Sequence, residues 1–187
     1  MTHDFENTIA FMGAPGANAD MACRQSEPYM ETLACDSFED VLEAVRDGRA
    51  RLGMLPIENS QAGRVAEIHQ LLPKINLHIV GEHFLPVRHV LAGIEGARLT
   101  EQGEARSGGR SDSDGGKGPL IKEVYSHSQA LMQCRENLRK RKLTPQAHAN
   151  TAIAARDVAA WGDASKAALC SPLAAELYGL EVLEPNM

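Results

Sequence analysis

A chain of 187 residues with 43% hydrophobic and 24% charged residues can bury a substantial core, as one domain or as two small lobes. Its formal net charge of −6 and aromatic content of 4% argue against a phosphate-backbone binder and a base-stacking surface, so no nucleic-acid partner is expected. No apolar run approaches the roughly 20 residues that cross a bilayer, so no membrane partner is expected either.

The first residues, Met-Thr-His-Asp-Phe-Glu-Asn7, lack the basic start and apolar middle of a signal peptide. Ile9–Met12 reads as a short apolar strand, followed by Gly13-Ala-Pro-Gly-Ala17 and a helix from about Asn18 to Gln25. An ordinary tight turn explains that loop, although its glycines would also let backbone amides approach a ligand. It matches neither a dinucleotide fingerprint nor a P-loop, which disfavours a nucleotide. Thr32–Cys35 is the second predicted strand. Ser37-Phe-Glu-Asp40 then opens a helix in the manner of a capping box, with Phe38, Val41, Leu42 and Val45 at helical spacing and Gly48 as its stop.

The stretch Leu52–Val65 begins apolar and ends in small and hydrogen-bonding residues. The pattern predicts a strand ending at Glu58, a loop holding Asn59 and Ser60, and a helix opening near Ala62 with Val65, Ile68, Leu71 and Leu72 on one face. A carboxylate, an amide and a hydroxyl then meet at a helix N-terminus, where open α/β sheets bind ligands and unpaired amides favour anions. Leu77–Ala92 is rich in β-formers but interrupted by Pro86. It predicts a strand that leaves one sheet and, past a break, joins another, crossing between two lobes. His78 and His83 fall on opposite faces of such a strand, so these two and His89 are expected as exposed or satisfied histidines rather than metal ligands. Residues 101–118, rich in Gly and Ser, read as a flexible surface insertion.

Ile121–Tyr125 predicts a strand leading into a helix whose buried face carries Ala130, Leu131, Cys134 and Leu138. Ser126 is placed at its N-cap, His127 in its first turn, and Gln133 two turns in, reaching toward the same mouth. The basic run 135–142 suits the solvated face and C-terminal end of a helix. Thr144–Ala149 is a weak strand. Asn150 and Thr151 cap a helix carrying Ile153, Ala154 and Val158, Lys166–Cys170 is a strand, and Ser171-Pro172 opens a last helix ended by Gly179 before a final strand. Alternating strands and helices imply an α/β fold with mainly parallel sheets. Cys23, Cys35, Cys134 and Cys170 contain no Cys-x-x-Cys pair and are expected as buried or semi-buried thiols of a cytoplasmic protein. Polar residues gather at the junctions 13–18, 58–63, 126–128, 150–151 and 171. If two lobes face each other, these helix N-termini surround one cleft with a positive local field, suited to a small carboxylate. No metal-ligand spacing or cofactor fingerprint accompanies them.

Gly-Ala-Pro-Gly-Ala17, Pro-Ile-Glu-Asn-Ser-Gln-Ala-Gly-Arg-Val65, Tyr-Ser-His-Ser-Gln-Ala-Leu-Met-Gln-Cys134 and Ala-Ala-Glu-Leu-Tyr-Gly179 resemble, in order and spacing, the prephenate dehydratase family over nearly the whole chain. The resemblance implies two α/β lobes of the type 2 periplasmic-binding-protein kind with the active site in the cleft between them. Lobe 1 would span about 1–78 plus about 171–187, and lobe 2 about 79–170. It implies conversion of prephenate to phenylpyruvate with loss of carbon dioxide and water, in phenylalanine synthesis, by a homodimer using neither metal nor organic cofactor. By motif, Asn59, Ser126 and Gln133 take the catalytic positions, while Gly16, Ala17, Glu58, Ser60, Ala62, Gly63, His127 and Thr151 line the substrate. The family's Thr-Arg-Phe segment, which bears its main catalytic Thr, has no counterpart up to Pro185-Asn-Met187, and neither does its ACT regulatory domain. Asn150-Thr-Ala-Ile153 stands where the family has Asp-Thr-Ala-Gly, and Ala14 and Ala19 stand where polar residues are common. Arogenate dehydration, or non-catalytic binding of a small carboxylate or amino acid on the same fold, are the alternative expectations.

Overall fold

Ile9, Ala10 and Phe11 have no polar residue between them, so they suit only a strand covered on both faces. In the computed structural model, which describes residues 5–60, 63–99 and 119–187, all three are buried in β1 (Thr8–Met12). The chain divides into two units, Met1–Val87 and Arg88–Met187. In unit 1, β1 lies between β2 (Glu31–Cys35) and β3 (Leu52–Met54), all parallel. Side chains alternate across the sheet. Ala10 joins Val41 and Ala44 of α2 (Phe38–Arg46), whereas Ile9 and Phe11 join Cys23 of α1 (Asn18–Ser26) on the other face. Ser37 caps α2 as expected, its Oγ accepting the Asp40 N–H at 3.1 Å and donating to Asp40 Oδ2 at 2.8 Å.

The stretch after β3 departs from expectation. Glu58–Asn59 (β4) and Gly63–Arg64 (β5) pair antiparallel as a small hairpin, closed by Val65 N–H donating to the Ile57 carbonyl at 3.0 Å. The helix therefore opens at Ala66 rather than near Ala62, running as α3 (Ala66–Leu71) with Ile68 fully buried. Residues 76–89 form neither helix nor strand, so the strand expected over 77–92 shortens to β6 (Val90–Gly93). Strand propensity is realised only against a partner. None pairs with 77–87 among the described residues, and Ile79, Val80 and Phe84 are exposed.

Unit 2 is a five-stranded mixed sheet made of β6, β7 (Glu123–Ser126), β8 (Thr144–Ala147), β9 (Lys166–Cys170) and β10 (Glu181–Glu184), in the order β10-β6-β9-β7-β8. β7 runs parallel to β8 and β9, while β6 is antiparallel to both β9 and β10. Pro145 is tolerated because β8 is an edge strand. α4 (Ser128–Gln133) and α5 (Arg135–Lys140) bury Leu131, Cys134 and Leu138 against Leu91, Val124 and Leu169. α6 (Thr151–Trp161) buries Ala152, Ala154, Ala155 and Val158, and α7 (Pro172–Leu177) buries Ala174 and Ala175. Hydrogen bonding of β10 to β6 joins the last residues to unit 2, and residues 79–87 belong to unit 1.

All four cysteines are free and buried. Burial pushes the Cys23 and Cys170 thiols up to about 12. No helix among the described residues is long and apolar enough to cross a membrane. The insertion expected at 101–118 lies outside the described residues.

Candidate functional site

In unit 2 the parallel strands β7, β8 and β9 finish on one edge of the sheet. Ser126 is in register with Ala147, and β6 starts at that same edge because Val90 pairs with Cys170. His89, Ser126, His148 and Ser171 therefore occupy the row just beyond or at the strand ends. α4, α6 and α7 all open there, with N-cap residues His127, Asn150 and Ser171. In open α/β sheets this carboxyl edge is where ligands bind, and unpaired helix amides make it favourable for anions.

The individual residues differ from their expected posts. Ser126 ends β7 instead of capping a helix; it is fully buried, and its Oγ donates to the Leu169 carbonyl at 2.5 Å. The cap is His127, whose exposed ring accepts the Gln129 N–H at 3.3 Å through Nδ1. Asn150 caps α6, its Oδ1 accepting the Ile153 N–H at 2.7 Å, and Thr151 is the first helical residue, half-buried. Gln133 ends α4 and is exposed, with Oε1 3.1 Å from His89 Nε2.

His89, expected together with His78 and His83 as an exposed or satisfied histidine, is of the satisfied kind through its bond to Gln133, but its place in the site was not foreseen. It is only 8% exposed, and its buried Nδ1 has no hydrogen-bond partner among the described residues. Burial lowers its pKa, and the bond to Gln133 opposes that shift only partly. The available signal was its place directly before the apolar Val90-Leu-Ala92. Its partner lies 44 residues away, which no local pattern reveals. His148 instead meets a carboxylate, with Nε2 3.2 Å from Asp157 Oδ2 of α6. His83, by contrast, sits exposed in unit 1 with Nε2 3.3 Å from Gln25 Oε1.

In unit 1 the corresponding edge carries the 13–17 loop and, after β3, the β4–β5 hairpin. Gly13 (φ +123°) and Gly16 (φ +85°) bend the loop through backbone regions that favour glycine. The amide of Gly16, expected to face a ligand, instead donates to Asp20 Oδ2 at 2.8 Å. Asp20 is fully buried and also accepts Arg24 Nε at 2.9 Å, so the loop is pinned by its own helix. Ala17 is the N-cap residue of α1 and lends no side-chain bond. In the hairpin Glu58 faces Arg64 and Asn59 faces Gly63. Asn59 is half-buried, while Glu58, Ser60 and Gly63 are exposed. Ala62 lies outside the described residues.

These positions supply amides, hydroxyls and imidazoles in unit 2 and one carboxylate with an amide and a hydroxyl in unit 1. Amides, hydroxyls and imidazoles of this kind are able to donate hydrogen bonds to an anion, whereas the carboxylate accepts them. They include no group of three His, Cys, Asp or Glu able to hold a metal among the described residues.

The chain is similar to known proteins over most of its length. A family model described as prephenate dehydratase matches residues 9–187. The chain is 43% identical over 182 residues to the bifunctional N-acyl-homoserine lactone acylase/prephenate dehydratase of Komagataeibacter europaeus, covering 97% of this chain and 58% of that protein. It is 35% identical over 187 residues to arogenate dehydratase 3, chloroplastic, of Arabidopsis thaliana, covering 99% of this chain and 40% of that protein. The crystal structure of prephenate dehydratase in complex with L-Phe from Arthrobacter aurescens matches with a TM-score of 0.77 at 28% identity, over 96% of this chain and 55% of that one. The chain thus spans between 40% and 58% of the length of these relatives. Its α/β fold is the periplasmic-binding-protein-like fold of those dehydratase domains.

Proposed function

The chain belongs to the prephenate dehydratase family, and from that premise we propose that it binds prephenate and takes part in its decarboxylating dehydration to phenylpyruvate. The observation that carries this reading is the row of neutral polar side chains and helix openings at the carboxyl edge of β7, β8 and β9. Prephenate carries two carboxylates, and helix amides with neutral donors hold such groups without burying a fixed positive charge. In the reaction the bond from the ring to its carboxylate breaks, and its electron pair enters the ring. The ring hydroxyl leaves with a proton as water, and aromaticity drives the step. The protein has to hold the side-chain carboxylate and supply donors to the departing oxygen.

In this proposal Asn59 and Gln133 contact substrate through their amides, and Ser126 holds the end of β7. By the family motif, Ala17, Glu58, Ser60, Ala62, Gly63, His127 and Thr151 are the further proposed substrate-binding residues. The reaction runs without metal or organic cofactor, in the cytoplasm, as a homodimer in phenylalanine synthesis. Arogenate, which bears an amine where prephenate bears a keto oxygen, is the second substrate to test because a relative of 35% identity is named for it.

The test titrates the purified chain with prephenate and with arogenate by calorimetry and follows phenylpyruvate or phenylalanine. A form extended by the family's Thr-Arg-Phe segment, which residues 1–187 do not contain, serves as the turnover control. Binding that weakens about tenfold or more in Asn59→Ala and Gln133→Ala, the scale of a lost oriented hydrogen bond, supports the assignment. Binding of neither acid, or binding indifferent to both substitutions, sinks it. Hydrolysis of an N-acyl-homoserine lactone is read in parallel, because a relative of 43% identity carries that activity in its name.

A further inference from the structure

We propose that His89 is a positioning residue for Gln133, donating its Nε2–H to the Gln133 side-chain carbonyl and so fixing the direction in which the carboxamide NH2 is presented. The inference rests on the reading above that Gln133 contacts the substrate. Its basis is the geometry at the start of β6. The ring is buried at 8% exposure, its Nε2 lies 3.1 Å from Gln133 Oε1, and the rest of the Gln133 side chain is exposed. The backbone on both sides of the ring is held: Val90 is in register with Cys170, and the His89 carbonyl accepts the Met187 N–H at 2.9 Å.

The direction of the hydrogen bond follows from the second ring nitrogen. Nδ1 is buried and has no partner among the described residues. If the Gln133 NH2 donated to Nε2 instead, the neutral ring would carry its proton on Nδ1, leaving an orphaned N–H in the interior. Buried N–H groups are left unpaired less often than buried acceptors. A proton on both nitrogens would add a buried charge to the same orphan. The tautomer with Nε2–H and a bare Nδ1 therefore prevails, and it commits Gln133 Oε1 to the ring. Both N–H bonds of the carboxamide remain directed away from His89, available to an acceptor such as a carboxylate oxygen or a departing hydroxyl. Without the imidazole the amide could turn over, and an oxygen would face the anion half the time.

The experiment uses the full 187-residue chain. Long-range 1H–15N correlation spectra at neutral pH read the His89 tautomer. Expected is Nε2 protonated with Nδ1 bare, and an Nδ1–H tautomer or an imidazolium overturns the proposal. The Gln133 side-chain NH2 resonances, assigned with Gln133→Ala, should lie away from free-amide values in the wild type, move to those values in His89→Leu, and recover in His89→Gln, which offers an N–H at a similar reach. Prephenate Kd should rise about tenfold in His89→Leu, return to within about threefold of wild type in His89→Gln, and rise no further when His89→Leu is added to Gln133→Ala. Equal losses from His89→Leu in the wild-type and Gln133→Ala backgrounds overturn the proposal, as does an unchanged NH2 pair in His89→Leu. If His89→Leu does not fold, the wild-type tautomer and the His89→Gln spectrum decide. If wild type binds no prephenate, the substrate assignment fails, while the tautomer and NH2 arms still judge the positioning role.

Discussion

Replacing Ser126 with alanine separates a structural hydroxyl from a catalytic one. The Ser126 side chain is fully buried, and its Oγ donates to the Leu169 carbonyl at 2.5 Å, tying the end of β7 to β9. A net intramolecular hydrogen bond contributes about 0.5–1.5 kcal/mol, and a buried carbonyl left without its donor costs about 1–3 kcal/mol. Because alanine removes the hydroxyl together with its own desolvation, the loss should be about 1–2 kcal/mol. With a urea slope of about 2 kcal/mol/M, the unfolding midpoint falls by roughly 0.5–1 M at unchanged slope. Trp161 is the only tryptophan, and its ring meets that of Tyr125, one residue before Ser126, with centroids 4.7 Å apart. Its fluorescence therefore reports on the part of unit 2 that the substitution disturbs. A midpoint within about 0.2 M of wild type, together with lost prephenate binding, would refute the reasoning and return the hydroxyl to the substrate.

Three further outcomes are expected. Asn150→Ala removes the cap that accepts the Ile153 N–H at 2.7 Å and should lower stability by about 1 kcal/mol, read by urea titration of far-UV circular dichroism. His89 has a folded pKa below its unfolded value, so the unfolded chain binds the extra proton first as pH falls below about 6.5. Wild-type stability should therefore decline from there downward, and His89→Gln should lose that part of the slope in midpoints compared at pH 7.5 and 5.5. Lys166 and then Ser165 hold the Asp163 carboxyl well below the usual carboxylate range. Its stabilisation is present above the unfolded pKa of about 3.9 and is lost as pH falls through the folded value, so wild type and Asp163→Asn should differ at pH 7 and converge in strong acid.

Local chemistry made much of the fold legible. Ser37, Asn150 and Ser171 each cap the helix that their sequence context announces, because a cap involves residues only two or three positions apart. Ile9–Phe11 and Lys166–Cys170 read as strands because they are short, continuous and apolar. The errors lie where distant partners decide. The β4–β5 hairpin uses two-residue strands, too short to show alternation, and its turn-side Gly63 at φ +80° gave no warning of a reversal. Ile79, Val80 and Phe84 have strand propensity, but propensity cannot supply the pairing edge. Ser126 carried the right residue type for a cap, yet register with Ala147 places it in the sheet, and the cap passes to His127. For the site, motifs singled out Gln133 and Asn59, whereas the contact that orients Gln133 depends on β6 entering beside β9.

The four buried thiols divide evenly, Cys23 and Cys35 in unit 1 and Cys134 and Cys170 in unit 2. Burial raises the pKa of all four, which suppresses the reactive thiolate until the surrounding structure opens. Brief alkylation followed by peptide mass measurement would then act as two clocks in one tube, each timing the opening of its own half of the chain. Adding prephenate to that mixture would reveal which half a ligand slows, without any engineered probe.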